Sequence, residues 1–367
     1  MPPVKDGRKR KLPPSSSICV NSSDAHSSQA KTQPQHQQHH ELSIYRYNRI
    51  NFDELAQGFP DFQAAWESIK RKRKHSRKGS SSFSSYVDFE FNSSLSRALL
   101  ERDFKLCIPS LPVGHLCPPV PNRLNYVCWI RELLDSFNDA TSFSYNCIDI
   151  GTGSSCIYPL LICAARHPAK DKQLFDKRYT VFASEIDPRS VESASINVSA
   201  NDLQNRIKVV SIRNEIVEQV KGPLQQTLLS IKGEPYFDFV MTNPPFYLSE
   251  DEAKVKRRDG RCRTDLTLSE GVYEGGGELG FVMDIFDNSL IIRDKVRWYS
   301  AMFSKKSNAT EMERHARNFG LEWCNVKLSS FVQGQTTRWG VAWTFYHIPD
   351  YAPGNLDLLL HTFSLIC

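Results

Sequence analysis

From Asn146 onward the sequence alternates short β-forming runs with stretches of helical periodicity, and few folds accept that order. "NCIDIG" reads as a buried strand ending in glycine, "TVFASEID" as a second, "RIKVVSI" as a third and "FDFVMTN" as a fourth. "VRWYSAMFS" makes a fifth, "EWCNVKLS" a sixth and "WGVAWTFY" a seventh. Between the fifth and sixth, "ATEMERHARNFG" reads as a helix that ends at Gly320. This alternation predicts an α/β fold, a seven-stranded, mostly parallel, doubly wound sheet with ligand sites at the carboxyl ends of its strands.

The residues ahead of that region divide by composition. Residues 1–43 are rich in Ser, Gln, His and Lys and are expected to be a disordered tail, with "QPQHQQHH" as low-complexity sequence rather than a metal site. From Ile44 aromatic and aliphatic residues return. Residues 44–125 are expected to be helical, with short helices after Asn51 and Pro60 and a later one carrying Leu95, Leu99 and Leu100 on one face. Inside this region "KRKRKHSRKGSSSFSS", at 70–85, reads as a basic loop insertion. Residues 126–348 are the expected core, and 349–367 a C-terminal extension.

Charge and cysteine usage narrow the setting. The net charge of +5 is uneven: residues 1–80 hold 15 Lys and Arg against 7 Asp and Glu, and the remainder 31 against 34. A basic amino end points to a polyanion partner or a nuclear-import address. No apolar run is long enough to span a bilayer, and "MPPVKDGRKRKLPPSSS" lacks the apolar stretch of a secretory signal. The ten cysteines include no C-x-x-C pair, so neither a zinc site nor a disulfide framework is expected, and the compartment should be reducing.

The first candidate site is "IDIGTGSSCIYPLL". Asp149 ends the strand, and Gly151-Thr152-Gly153-Ser154-Ser155 turns the chain into a helix. Glycines let backbone pass close to a ligand, and a helix amino end offers unpaired N–H groups. A G-x-G turn alone can simply close a βα junction. Its pairing with Glu185, at the end of the second strand, strengthens the ligand reading, because a carboxylate there can accept both hydroxyl hydrogens of a ribose. Singly, Asp149 could be a turn carboxylate and Glu185 a solvated strand end. The third glycine of a dinucleotide fingerprint is missing, which favours S-adenosylmethionine, a cofactor with no pyrophosphate, over nicotinamide.

The second is "VMTNPPFY", just beyond the fourth strand and therefore on the same sheet edge. Pro244 and Pro245 stiffen the backbone after Asn243. A planar exocyclic amine could give one hydrogen to the Asn243 side-chain oxygen and the other to the Pro244 carbonyl. Phe246 supplies a stacking face, with Tyr247 as a second aromatic, so an unpaired adenine fits. The bland alternative is a Pro-rich turn whose aromatics fill core.

"NPPF" after "IDIGTG" resembles the class I amino-methyltransferases that modify adenine N6 or an amide nitrogen. With "PNRLNYVCWIRELL", "TNPPFY", "GGELGFV" and "RWYSAMFSKK", the chain is similar to the methyltransferase-like protein 16 family of RNA N6-adenosine methyltransferases from about Tyr45 to Tyr346. The resemblance implies a Rossmann-like class I fold, S-adenosyl-L-methionine as cofactor, and adenosine N6 of a structured RNA, U6 small nuclear RNA, as acceptor. It implies that Arg123 meets the cofactor's carboxylate, that Gly151 and Ser155 line it, that Glu185 holds its ribose, and that Asn243, Pro244, Pro245 and Phe246 hold the adenine; Asp149 and Asn243 are further candidate cofactor contacts from their places at the strand ends. The threonine that the family places after the third strand is replaced here by "RNEI".

Three basic elements are candidate RNA contacts. Arg46 and Arg49 of "YRYNRI" match the family's amino-terminal RNA-gripping segment, which makes 44–125 the expected RNA-binding region. The insertion is a second. The third is "KVKRRDGRCR", with Lys254, Lys256, Arg257, Arg258, Arg261 and Arg263 directly after the adenine clamp. Arg297, Lys305 and Lys306 flank the fifth strand and could extend the groove. The expected address is the nucleus, with the cytoplasm also open. Rival readings are a ribosomal RNA adenine-N6 methyltransferase, a protein glutamine methyltransferase that shares the clamp, and a non-catalytic RNA-binding module.

Overall fold

The computed structural model describes residues 39–75, 89–137, 144–168, 173–175, 178–231, 236–253, 271–333 and 336–348, all within the unit 37–367. The amino-terminal part forms α1 (Phe52–Gly58), α2 (Pro60–His75) and α3 (Phe89–Phe104). Asn51 caps α1 by accepting from the N–H groups of Asp53 and Glu54, as its residue type favours. Phe52 packs against Phe62, Trp66 and Phe91 with ring centroids 5.8, 5.2 and 5.9 Å away, so the three helices share an aromatic centre.

Three expectations for this part are corrected. Residues 39–43 belong to the packed structure: the Asn125 side chain accepts from the His40 N–H at 3.2 Å and its Nδ2 lies 3.2 Å from His39 Nδ1. His40 Nε2 also sits 2.9 Å from Glu132. The basic run does not begin as a loop, because α2 continues to His75. Lysine and arginine are good helix formers, and Lys70 is anchored to Asp53 at 3.2 Å. The expected boundary at 125 falls inside α4 (Val120–Asp135), whose buried residues join the aromatic centre and the sheet in one hydrophobic core. Residues 1–38, 76–88 and 349–367 lie outside the described residues.

The sheet follows as β1 (Ser144–Ile150), α5 (Ile157–Ala164), β2 (Arg178–Glu185), α6 (Pro188–Ser199), β3 (Ile207–Ser211), α7 (Asn214–Gln219), α8 (Pro223–Ser230), β4 (Phe237–Thr242), α9 (Gly277–Ile292), β5 (Val296–Phe303), α10 (Lys306–Asn318), β6 (Val326–Gln333) and β7 (Thr336–Trp343). Its order is β3-β2-β1-β4-β5-β7-β6. β7 runs antiparallel to both neighbours, and the other pairings are parallel. The expected doubly wound, mostly parallel sheet is therefore present. β6 starts later than expected, after a 3-10 turn at Trp323–Asn325, and β7 starts earlier, at Thr336. α10 begins at Lys306 and ends at Asn318, displaced toward the amino end from the expected span.

Both sheet faces are covered, which is why the inner strands read as apolar runs. Cys147 of β1 packs with α4 and α5, whereas Ile148 and Ile150 pack with α8 and α9. Gly340 of β7 lets α4 lie close on the sheet: a Cβ there would come within 2.6 Å of the Trp129 ring and 3.0 Å of the Phe331 ring. Trp129 is wedged between Tyr126 and Phe331 and has little room to yield. Gly340→Ala is therefore expected to cost about 1–3 kcal/mol of stability, read as a lower urea midpoint with an unchanged m-value.

Candidate active site

Strand register assembles the site. In β1, Ile150 pairs with Ser184 of β2 on one side and Thr242 of β4 on the other. The next residues, Gly151, Glu185 and Asn243, therefore emerge beside one another at the carboxyl rim. β1 and β4 are also where the sheet's winding reverses, the usual crevice for ligands in such folds. Thr242 reinforces the junction by donating from its hydroxyl to the Ile150 carbonyl at 2.8 Å.

The turn after β1 needs its glycines, with φ of +70° at Gly151 and +68° at Gly153. Cys156, at φ +53°, is buried at the head of α5 in the same left-handed region without being glycine. The N–H groups of Gly151 and Thr152 both donate to the Ser184 carbonyl at 3.0 Å. Glu185 holds the turn from the side, its Oε2 accepting from Gly153 at 2.9 Å and its Oε1 from Ile186 at 2.8 Å and Asp187 at 3.0 Å. The sequence pointed to a ribose-binding carboxylate; the structure adds that the same carboxylate braces the glycine turn. After β3, where the family threonine was sought, the Ile212 N–H donates to the Glu185 carbonyl at 2.8 Å and Arg213 leads into α7.

Deeper in, polar groups are left unpaired. Asp149 is fully buried and neither carboxylate oxygen has a hydrogen-bond partner. Thr152 lies near enough to favour its charged form, but the Thr152 hydroxyl is directed to Cys156 Sγ at 3.5 Å. Burial raises the Asp149 pKa to about 7, against smaller opposing effects of Thr152 and Arg123. Ser154 Oγ and the Tyr158 hydroxyl are likewise buried without partners. Arg123 of α4 is buried beside them: its Nη1 lies 3.5 Å from both Asn243 Oδ1 and Met302 Sδ, and its guanidinium is 5.5 Å from the Tyr158 ring centre rather than on the hydroxyl. Buried groups of this kind are normally satisfied. A ligand bearing both an anionic and a cationic group would satisfy them.

Asn243 is half-buried, Pro244 buried, and Pro245 and Phe246 half-buried. The segment after them is held by a strap at 271–278. Tyr247 N–H donates to the Gly271 carbonyl and Tyr273 N–H to the Tyr247 carbonyl, both at 2.9 Å. Gly277, at φ +60°, lies so close that a Cβ would come within 3.3 Å of Leu248 N. The next residue, buried Glu278, accepts from the N–H groups of Ser304 at 2.8 Å and Lys305 at 3.2 Å and from Asn308 Nδ2 at 2.8 Å. The "GGELGFV" motif thus ties the clamp to the end of β5.

Arg338, which the sequence did not single out, belongs to this rim. Its guanidinium lies 5.7 Å from the Phe246 ring centre. Burial and then the nearby Arg123 charge lower its pKa. Of the basic candidates, Arg46 is exposed, with Nη1 donating to the His39 carbonyl at 3.1 Å, and Arg49 is exposed. Lys254, Lys256, Arg257, Arg258, Arg261 and Arg263 lie outside the described residues. Lys305 and Lys306 are exposed at the rim, with Lys306 Nζ 5.2 Å from the Trp339 ring centre. Arg297 is corrected: it pairs with Asp238 at 3.5 Å and lies over Phe137 and Tyr145. These residues mark the amino ends of the strands, so Arg297 cannot extend the groove.

Comparison with known proteins shows the family to which the chain belongs. Residues 35–347 match a family model described as RNA methyltransferase. The mouse RNA N(6)-adenosine-methyltransferase METTL16 is 33% identical over 312 residues, covering 84% of this chain and 51% of the mouse protein. A Caenorhabditis elegans U6 small nuclear RNA (adenine-(43)-N(6))-methyltransferase is 30% identical over 334 residues, covering 85% of this chain and 63% of that protein. The human METTL16 catalytic domain, solved with MAT2A 3′UTR hairpin 6, has a TM-score of 0.63 at 30% identity, over 84% of this chain and 98% of that one. The human METTL16 N-terminal domain in complex with SAH gives 0.60 at 30% identity, over 84% and 99%. The chain spans about half the length of the METTL16 proteins it matches. Its sheet order and these likenesses identify a Rossmann-like class I fold. Matched along most of its length, the chain belongs to the RNA methyltransferase family.

Proposed function

We propose that this chain transfers a methyl group from S-adenosyl-L-methionine to N6 of an adenosine in a structured RNA, with U6 small nuclear RNA as the substrate and the nucleus as its setting. One observation carries the reading: Asn243, Pro244 and Phe246 leave β4 directly beside a buried cluster of unpaired polar groups at the end of β1. Relatives named as adenosine and U6 methyltransferases support the acceptor, and a related domain crystallised with SAH supports the cofactor.

The residues present fit that cofactor. Arg123 is a charged donor for its carboxylate, and the unpaired Asp149 carboxylate is an acceptor for its ammonium group. Gly151 and Ser155 would line it, and Glu185 would meet its ribose. When bound, the cofactor supplies an electrophilic methyl group on a sulfonium. The chain's part is to hold the acceptor nitrogen. Asn243 Oδ1 and the Pro244 carbonyl accept the two N6 hydrogens, which draws the lone pair out of conjugation with the ring. Arg123, 3.5 Å from Asn243 Oδ1, restrains the amide, and Phe246 stacks on the base. Directly after transfer N6 carries the positive charge with both of its hydrogens, and this cation is acidic enough to give one of them to water, so positioning rather than a strong base dominates. Arg46, Arg49, Lys254, Lys256, Arg257, Arg258, Arg261 and Arg263 are assigned to RNA phosphates, residues 44–125 to an RNA-binding region, and Arg338 and Lys306 extend that basic rim.

Asn243→Ala is expected to lower methyl transfer by about 10²–10³-fold, in a labelled-methyl assay on hairpin RNA, with RNA affinity within about twofold of wild type. Full turnover in that variant would remove the proposed role. Asp149 gives a pH test. Its folded pKa is raised above the ordinary value of 3.8 to about 7, so the stability linked to its proton is present below about pH 4 and lost as pH rises through 7. The unliganded wild type should therefore lose stability over that window relative to Asp149→Asn. S-adenosyl-L-methionine binding should release a proton near pH 7 in the wild type but not in the variant, as calorimetry in buffers of different ionisation heat would show.

A further inference from the structure

On the sheet edge opposite the rim, a cavity of about 670 Å³ opens between the carboxyl ends of α3, α5 and α6. It lies in the roughly 300–1,000 Å³ range of small-ligand sites. Its lining includes Lys105 just beyond α3, Arg166 just beyond α5, and Arg206 just before β3. The acids on the same lining are Asp103 and Asp202. Asp103 is already neutralised: Arg102 donates to its two oxygens at 2.6 and 2.9 Å and the Tyr45 hydroxyl at 2.7 Å. Asp202 is exposed. Arg206 donates from Nη1 to the Cys163 carbonyl at 3.3 Å, while its Nε is buried with no partner. Its guanidinium is anchored through one nitrogen and still has N–H groups to give, and a guanidinium matches an oxyanion well.

Backbone strain gathers at the same place. Lys105 has φ +57° and Asp202 φ +55°, two of the four non-glycine residues with positive φ among the described residues. Glycine fits such a position without steric cost, and lysine does not. Strain of this kind concentrates where function requires it. At α3 the Lys105 Nζ reaches back to the Arg102 carbonyl at 3.4 Å and Leu106 N–H caps the Leu100 carbonyl at 3.1 Å; at α6 Leu203 N–H caps the Val198 carbonyl at 3.2 Å.

We propose that this cavity binds a phosphate group, with Arg206 and Lys105 as its donors and Arg166 beside them. The group comes either from a strand of RNA that extends past the rim or from a free phosphate ligand. The site stands whether or not the methyl-transfer reading holds. It adjoins the glycine turn through α6. Asn201, on the cavity lining, brackets the Cys107 backbone with bonds of 2.8 and 2.6 Å. One turn earlier, Asn197 brackets Ser110 at 2.9 and 2.7 Å and reaches the Ser154 carbonyl at 3.0 Å.

The test is titration of inorganic phosphate into the full-length wild type, Arg206→Gln and Lys105→Gly, followed by calorimetry at low ionic strength. One saturable site is expected in the wild type, weakened about 10-fold or more in each variant. Lys105→Gly relieves the left-handed backbone, so its melting temperature should not fall, and lost binding there cannot be ascribed to misfolding. Hairpin RNA affinity in the same variants separates the sources. A parallel loss, with phosphate competing against RNA, assigns the group to the RNA strand; unchanged RNA affinity assigns it to a free ligand. Absence of saturable phosphate binding in the wild type, or wild-type phosphate affinity in both variants, overturns the proposal.

Discussion

The parallel pairing of β1 between β2 and β4 is the constraint on which the site depends. Ile150 is in register with Ser184 and Thr242, and the three residues that follow reach the rim together for that reason alone. Side chains alternate between sheet faces, so a one-residue slip of β1 would carry Asp149 to the α8–α9 side, away from Arg123 and Tyr158. The apolar neighbours prevent such a slip. Cys147 is packed into one core and Ile148 and Ile150 into the other, and a shift would bury Asp149 in the wrong layer while exposing nothing useful in exchange.

Against that well-packed background the rim is deliberately unfinished. Asp149, Ser154 and Tyr158 are enclosed without hydrogen-bond partners, and Cys156 holds a backbone shape that its side chain disfavours. Each such feature costs free energy in the unliganded protein. Two extensive hydrophobic cores absorb that cost, and the aromatic centre of α1 to α3 adds to one of them through α4. The amino-terminal helices are therefore part of what keeps Arg123 in position, as well as a candidate surface for RNA.

The fold and the centre of the site were legible because their signals are local. A buried strand ending in Asp149 and a glycine turn, a second ending in Glu185, and prolines directly after Thr242 each mark a strand end, and parallel winding brings strand ends to one edge. What escaped depended on distant partners. The α2 helix runs on into the basic segment, where lysine and arginine suit a helix and Lys70 meets Asp53 of α1, a contact between helices that no run of charges announces. Arg297 sits at the opposite edge because it is the second residue of β5, where Asp238 of the neighbouring parallel strand meets it. Arg338 was missed for a stronger reason: the seventh strand was expected to begin one residue after it, and nothing local reveals that this strand points backwards. Glu278, similarly, looks like an ordinary helix-start carboxylate until Ser304 and Asn308 are seen on it.

That reversal has an evolutionary consequence. Because β6 climbs toward the rim and β7 descends from it, the paired ends Gln333 and Thr336 stand at the same sheet edge as the strand ends of the sheet's first half. Changes of length at this hairpin would reshape that edge while sparing both cores. A lineage could in this way revise which ligand shapes gain entry without having to rebuild the strand ends beneath.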